Sequence, residues 1–250
     1  MQSDVLVIGA GIVGLATAYQ LVQHYPHLRV IVLEKEAYLC QHQSRRNSGV
    51  LHSGIYYRPG SMKAQTCREG KALMQAFCER EGVPFEICGK VIVATDEREL
   101  PTLQMLYERG QANGVQCQMI DSKRLNELEP HASGIAAIHV AETGIVAFER
   151  VCERLAHHIA EAKGTILTGA KVIGIREKGD EVVVQTTRGD VTARYAVNCA
   201  GLYSDQIVRL SGHVPPARIV PFRGEYYLLS PEARHLCRNL IYPVPDPRFP

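Results

Sequence analysis

Asp4-Val-Leu-Val-Ile-Gly-Ala-Gly-Ile-Val-Gly14 decides the fold of this chain. The run up to Ile8 is aliphatic and β-branched with no polar residue inside it. That suits a strand covered on both faces, as in a parallel sheet. Gly9, Gly11 and Gly14 follow, and Leu15-Ala-Thr-Ala-Tyr-Gln-Leu-Val22 then reads as a helix. Strand, glycine turn and helix are the context that a dinucleotide fingerprint requires. Gly9 permits the tight turn, Gly11 lets the backbone approach a pyrophosphate, and Gly14 lets the helix pack on the sheet. The helix start offers free N–H groups and a positive dipole end to the phosphates. A second apolar strand, Val30-Ile-Val-Leu33, ends in Glu34, twenty residues beyond Gly14. A carboxylate there accepts hydrogen bonds from the two hydroxyls of an adenosine ribose and repels a 2′-phosphate, which disfavours NADP. Four features agree against a merely structural glycine turn, but the motif leaves FAD and NAD open.

Working outward, an NAD-binding domain would continue with further helix–strand units. Residues 39–60 instead are polar and glycine-rich with no helical period, and long irregular segments in compact domains usually do functional work. A second glycine turn lies far along the chain. A meander is expected at 170–177, 181–187 and 191–199, with a turn at Arg188-Gly-Asp190. Its last strand runs into Asn198-Cys-Ala-Gly-Leu-Tyr-Ser-Asp205 and a helical stretch, Gln206–Leu210. A glycine between strand and helix suits close approach to a cofactor.

The glycine fingerprint, Leu33-Glu-Lys-Glu36, Asn47-Ser-Gly-Val-Leu-His52 and Asn198-Cys-Ala-Gly-Leu202 together resemble the D-amino-acid-oxidase-like flavoproteins. Within that group, Arg45-Arg-Asn-Ser-Gly-Val-Leu-His-Ser-Gly-Ile-Tyr-Tyr57, Pro221-Phe-Arg-Gly-Glu-Tyr226 and the ending Ile241–Pro250 resemble the L-2-hydroxyglutarate oxidase family. The similarity runs along the whole chain. It implies an α/β protein: a Rossmann-like FAD-binding domain interleaved with an α+β substrate domain on a mostly antiparallel sheet. It also implies FAD as cofactor, a small 2-hydroxy acid as substrate, and a quinone or oxygen as electron acceptor. By the same resemblance Gly9, Gly11, Gly14 and Glu34 hold the ADP part of FAD. Arg46, Asn47 and Ser48 approach the pyrophosphate and flavin, Val172 the adenine side, and Ala200 and Gly201 the cofactor again. The family layout puts the FAD domain at 1–82 and 143–213 and the substrate domain at 83–142 and 214–250. Family members run on by about a domain's length, so the chain reads as an N-terminal fragment that lacks its C-terminal part.

Oxidising a 2-hydroxy acid with a flavin requires a base near the hydroxyl and a cation for the carboxylate. His52 is the candidate base, since it lies in the glycine-rich segment and titrates near neutrality. A histidine that only hydrogen-bonds flavin or backbone is the bland alternative. Arg223 is the candidate cation, because a guanidinium grips a carboxylate with two parallel hydrogen bonds; a surface ion pair explains it almost as well. Tyr56, Tyr57 and Arg58 are further candidates for the pocket. Adjacent His157 and His158 are expected to face different directions, and the remaining histidines read as surface or structural. Apolar stripes over 61–82 (Cys67, Leu73, Met74, Phe77, Cys78), 98–112 and 149–163 read as core packing.

The bulk numbers are ordinary. Of 250 residues 46% are hydrophobic and 22% charged, and a net charge of +2 gives no reason to expect nucleic acid. None of the eight cysteines forms a C-x-x-C pair, so local spacing suggests no metal site. The expectation is a protein of a reducing, cytoplasmic compartment, with attachment to the inner face of the cytoplasmic membrane left open. Three readings compete: a hydroxy-acid flavoenzyme, a related flavoenzyme acting on an amine, amino acid or glycerol 3-phosphate, and an inactive fragment.

Overall fold

A computed structural model describes residues 1–246; the last four residues of the quoted ending, Pro247 to Pro250, lie outside the described residues. The elements in chain order are β1 (Gln2–Ile8), α1 (Ile12–His24), β2 (Val30–Leu33), β3 (Val50–Leu51), α2 (Met62–Glu81), β4 (Phe85–Glu86), β5 (Lys90–Ala94), α3 (Leu100–Ala112), β6 (Cys117–Asp121), α4 (Ser122–Leu128), β7 (Ala136–Val140), β8 (Gly144–Val146), α5 (Phe148–Glu161), β9 (Thr165–Leu167), β10 (Val172–Lys178), β11 (Glu181–Thr186), β12 (Val191–Asn198), α6 (Ser204–Leu210) and β13 (Leu240–Pro243). They group into two compact units, Met1–Ser48 with Phe148–Gly224, and Gly49–Ala147 with the described residues from Glu225 onward.

The first unit holds a six-stranded sheet in the order β10-β11-β12-β1-β2-β9. β12, β1, β2 and β9 run parallel, and β10-β11-β12 forms the antiparallel meander expected from its turn residues. Every residue of β2 is buried, and β1 is buried from Val5 to Ile8, as a central parallel pair demands. Leu6, Ile8, Ile31 and Leu33 pack with Val172, Val184 and Ala193 into one core. Val151, Cys152, Leu155 and Ile159 form the buried stripe of α5. Burying such side chains stabilises by roughly 1.5–3 kcal/mol each before entropy is counted.

The second unit carries two sheets. One runs β13-β5-β7-β6, antiparallel except for the β13–β5 pair, and the other is the small antiparallel β3-β8-β4. β5 is buried on both faces because helices cover both. Ile92 and Ala94 join Leu103 and Leu106 of α3, while Val91 and Val93 join Leu125 of α4. This period-2 alternation puts Lys90 on the α3 face, in line with Ile92 and Ala94.

The compact units divide the chain differently from the family layout: residues 49–82 and 143–147 sit in the second unit, and 214–224 in the first. Ile55 packs with Leu103 and Leu106 in that unit's core. The Asn113 side chain donates to the carbonyls of Gly54 and Tyr57, and Arg68 and Lys71 of α2 grip Glu142. These contacts bind the segment where it lies. The expected apolar stripe of α2 is also corrected. Leu73 is 71% exposed, and the buried face is Ala64, Lys71, Phe77 and Cys78. Seven-residue spacing brings Lys71 to the core, where Glu142 pairs with it at 2.9 Å. Tyr226-Tyr-Leu-Leu229, strand-like in sequence, has no regular structure and is exposed throughout. This apolar run finds no partner strand among the described residues, and β5 pairs with β13 instead.

Candidate functional site

The turn after β1 is built from main chain. Gly9 adopts φ +110°, and its N–H donates to the Leu33 carbonyl at 2.8 Å. A Cβ on Gly9 would lie 2.4 Å from the Cys199 carbonyl oxygen, and one on Gly14 would lie 1.9 Å from the Gly9 carbonyl oxygen. Packing within the protein itself therefore demands these two glycines. Gly11 differs, since its φ of −78° suits any residue and a Cβ there would meet only Ser44 Oγ, at 3.1 Å. Among the described residues little else fills the space above Gly11, and that room is what close approach of a pyrophosphate requires. α1 opens without an acidic residue in its first turn, so its dipole end faces no carboxylate of its own. Ser44 Oγ takes the amide of Ile12 at 2.8 Å.

Glu34 is 7% exposed and ties this turn to the end of β2. One carboxylate oxygen accepts from the Ala10 N–H and the other from the Glu36 N–H, each at 2.9 Å. Each oxygen keeps a further lone pair for a ribose hydroxyl. The glycine turn, the helix start and Glu34 thus fit the ADP half of a dinucleotide.

Beside it stands a cluster that sequence reasoning missed. Glu36 pairs with Lys35 and, at 2.9 Å, with His42. The Lys35 ammonium, then His42, holds the Glu36 carboxyl down at about 2. Lys35 Nζ sits 4.6 Å from the centre of the Tyr203 ring, and the His42 ring meets that ring edge-on at 5.8 Å. No local spacing rule links positions 35, 42 and 203. Adjacent His157 and His158, expected to diverge, both reach Glu161, at 3.2 and 3.1 Å. A glutamate three and four residues on lies on the helix face between them.

Arg46, Asn47 and Ser48 lie in an exposed turn of the first unit. The Arg46 N–H donates to the His42 carbonyl, and the Asn47 side-chain amide donates to the carbonyls of Gln43 and Ser44. Arg45 pairs with Glu149 at 3.1 Å, which anchors the turn to α5. Val172 opens β10 with its side chain in the core, so only its main chain is placed to meet a ligand. Ala200 abuts Gly9, since a Cβ on Gly9 would come within 3.3 Å of the Ala200 Cα. Gly201 follows with φ +55° and open space where a Cβ would be. The two glycine turns named in the sequence therefore meet. Asn198 braces the second turn, accepting from the Ala200 N–H and donating to the Ser204 carbonyl.

In the second unit His52 follows β3 and reaches solvent, with the unit packed behind its ring. That packing lowers its pKa below the ordinary imidazole value, and the Lys90 ammonium lowers it further. Lys90 is 1% exposed. Its Nζ lies 4.4 Å from the centre of the Tyr56 ring and 4.0 Å from that of Tyr242. Burial brings Lys90 down to about 8, and burial pushes the Tyr56 hydroxyl well up. The sequence marks Tyr56 and His52 but not Lys90, whose neighbours Gly89 and Val91 carry no motif. Arg223 belongs to the first unit and is exposed within an irregular segment.

A parallel sheet with a strand–glycine–helix turn and a carboxylate at the end of the second strand defines a dinucleotide-binding α/β protein. The chain belongs to the DAO family of FAD dependent oxidoreductases, whose model matches residues 4–250. FAD is the cofactor of that family, and the first unit's turn and Glu34 fit it. An L-2-hydroxyglutarate dehydrogenase from Indibacter alkaliphilus is 44% identical over 100% of this chain and 63% of its own length. The mitochondrial L-2-hydroxyglutarate dehydrogenase from Homo sapiens is 45% identical over 99% of this chain and 56% of its own length. The chain thus spans 56–63% of these two relatives. Among solved structures, an L-α-glycerophosphate oxidase from Mycoplasma pneumoniae with FAD bound superposes with a TM-score of 0.83 and 27% identity. That match covers 98% of this chain and 66% of the oxidase.

Proposed function

We propose that this protein serves the FAD-dependent oxidation of L-2-hydroxyglutarate to 2-oxoglutarate, with electrons passed on to a quinone or oxygen. The observation that carries the reading is identity above 40%, along the whole chain, to proteins named for that substrate. The glycine turn and Glu34 support the cofactor half of the reading. Gly9, Gly11, Gly14 and Glu34 hold the ADP part; Arg46, Asn47 and Ser48 approach the pyrophosphate and flavin, and Ala200 and Gly201 meet the cofactor again. Val172 meets the adenine through its main chain. The first compact unit is accordingly the FAD-binding domain and the second the partial substrate domain.

When bound, FAD supplies the two-electron oxidant that takes the hydride from C2 of the substrate. His52 takes the hydroxyl proton on a ring nitrogen. Its lowered pKa keeps that nitrogen unprotonated at neutral pH, as a base must be. Arg223 grips a substrate carboxylate. Among the described residues no helix is long and apolar enough to cross a membrane.

Likeness to a glycerophosphate oxidase favours one other substrate for the same fold, glycerol 3-phosphate. An absorbance spectrum with added FAD under anaerobic conditions separates the two. We expect flavin bands that bleach on L-2-hydroxyglutarate and stay unchanged with glycerol 3-phosphate. Bleaching by glycerol 3-phosphate alone would overturn the substrate. A colourless protein that refuses FAD would leave this 250-residue chain an inactive fragment.

A further inference from the structure

The second unit buries two lysines and treats them differently. Lys71 is 8% exposed and has a carboxylate 2.9 Å away in Glu142, itself shared with Arg68. Lys90 is more deeply buried, yet among the described residues its ammonium makes no ion pair and no hydrogen bond. A buried ammonium is costly unless its charge and its three donors are met. The rings of Tyr56 and Tyr242 answer the charge in part, as aromatic faces attract a cation. They accept none of its three N–H donors in the ordinary way.

The position is also specific. Strand alternation puts Lys90 on the α3 face with Ile92 and Ala94, where an aliphatic side chain would pack without cost. Its charge also lowers the pKa of His52, the candidate base, which follows β3 in the same compact unit. A fixed cation with open donors and aromatic walls suits a compact anion. A hydroxy dicarboxylate brings two carboxylates to a site that needs one cation beside the reacting hydroxyl.

We propose that Lys90, clamped between the rings of Tyr56 and Tyr242, binds a carboxylate of the anionic substrate. This rests on the hydroxy-acid reading above. The test is calorimetric titration of the FAD-loaded protein with glutarate, a dicarboxylate without the reacting hydroxyl, and with its neutral diamide. Wild type should bind glutarate and not the diamide. Lys90→Met should weaken glutarate roughly ten- to a hundredfold, the loss of a charge-assisted hydrogen bond. Lys90→Arg should retain most of the binding. Glutarate binding that survives Lys90→Met in a folded protein overturns the proposal, as does wild type that ignores glutarate. Should Lys90→Met fail to fold, wild-type tyrosine ultraviolet absorbance decides: glutarate must perturb it at saturation, and no change overturns the proposal. Glutarate binding that depends on Lys90, in a protein that does not oxidise L-2-hydroxyglutarate, keeps the anion site and removes the substrate.

Discussion

The glycine turn of the first unit and the lysine clamp of the second solve opposite problems. The turn makes a binding surface from main chain, satisfied by its own neighbours, and leaves a gap above Gly11. The clamp puts a full charge among apolar side chains and leaves its donors open. The turn costs the fold little, since each glycine either relieves a clash or makes room. The clamp costs stability, and function is the physical reason to keep such a cost. Stability and function should therefore separate differently in the two regions.

The largest effect should come from within the turn itself. Gly14→Ala drives a Cβ into the Gly9 carbonyl oxygen, and loss of about 4 kcal/mol or more is expected, together with loss of FAD. Gly11→Ala should lower the melting temperature by only about 2–4 °C, at a cost of about 1 kcal/mol, while FAD affinity falls roughly tenfold or more. Thermal melts with and without FAD check both. Equal destabilisation by the two changes would erase the distinction between a packing glycine and a ligand glycine.

Lys90→Met should do the reverse and stabilise the protein by about 1–3 kcal/mol at pH 7 while weakening anion binding. The pH dependence carries a definite sign. Lys90 falls from 10.5 to about 8 on folding, so between those values the unfolded chain holds more protons. Stability therefore rises as pH goes from about 8 to 10.5, by up to about 3 kcal/mol from this group. Lys90→Met should flatten that rise in a denaturant series against pH. A rise that persists unchanged would show that Lys90 does not titrate in this window.

Glu34→Gln should cost about 1–3 kcal/mol, since one end of the amide must present N–H donors to a backbone N–H. Denaturant midpoints measure it, and FAD affinity should fall with it. The smallest effect is on rate against pH. The His52 pKa is depressed, so the acid limb of kcat/KM should lie below pH 6.5, the ordinary imidazole value. Removing the Lys90 charge should move that limb upward, with burial still holding it below the ordinary value. A limb at or above pH 6.5 in wild type would argue against His52 as the base.

Much of the first unit was legible from local order. An apolar run ending in glycines reads as strand, turn and helix whatever surrounds it, and spacing alone brought Glu34 to the loop. The meander was legible for the same reason, through Arg188-Gly-Asp190 and alternating apolar residues. The second unit was harder. Lys71 and Lys90 look like surface residues in sequence, and Leu73 looks like core. Which face of α2 turns inward depends on Glu142, more than sixty positions away. The meeting of Lys35, His42 and Tyr203 likewise depends on chain crossings that no local pattern records.

Sequence by itself determined the class of protein, because a dinucleotide turn is a local object whose glycines, strand and helix lie within a few residues of one another. It also offered His52 and Arg223 as candidates for the chemistry, and it left Lys90 unmarked. Only the tertiary structure decided which charges are answered and which stand open. A lysine's partners come from strands and loops far apart in the chain: Tyr56 before α2 and Tyr242 on β13 reach Lys90 through folding alone. Whether an ammonium is a structural ion or a binding group depends on what lies within a few ångströms of it, and that distance is set by packing.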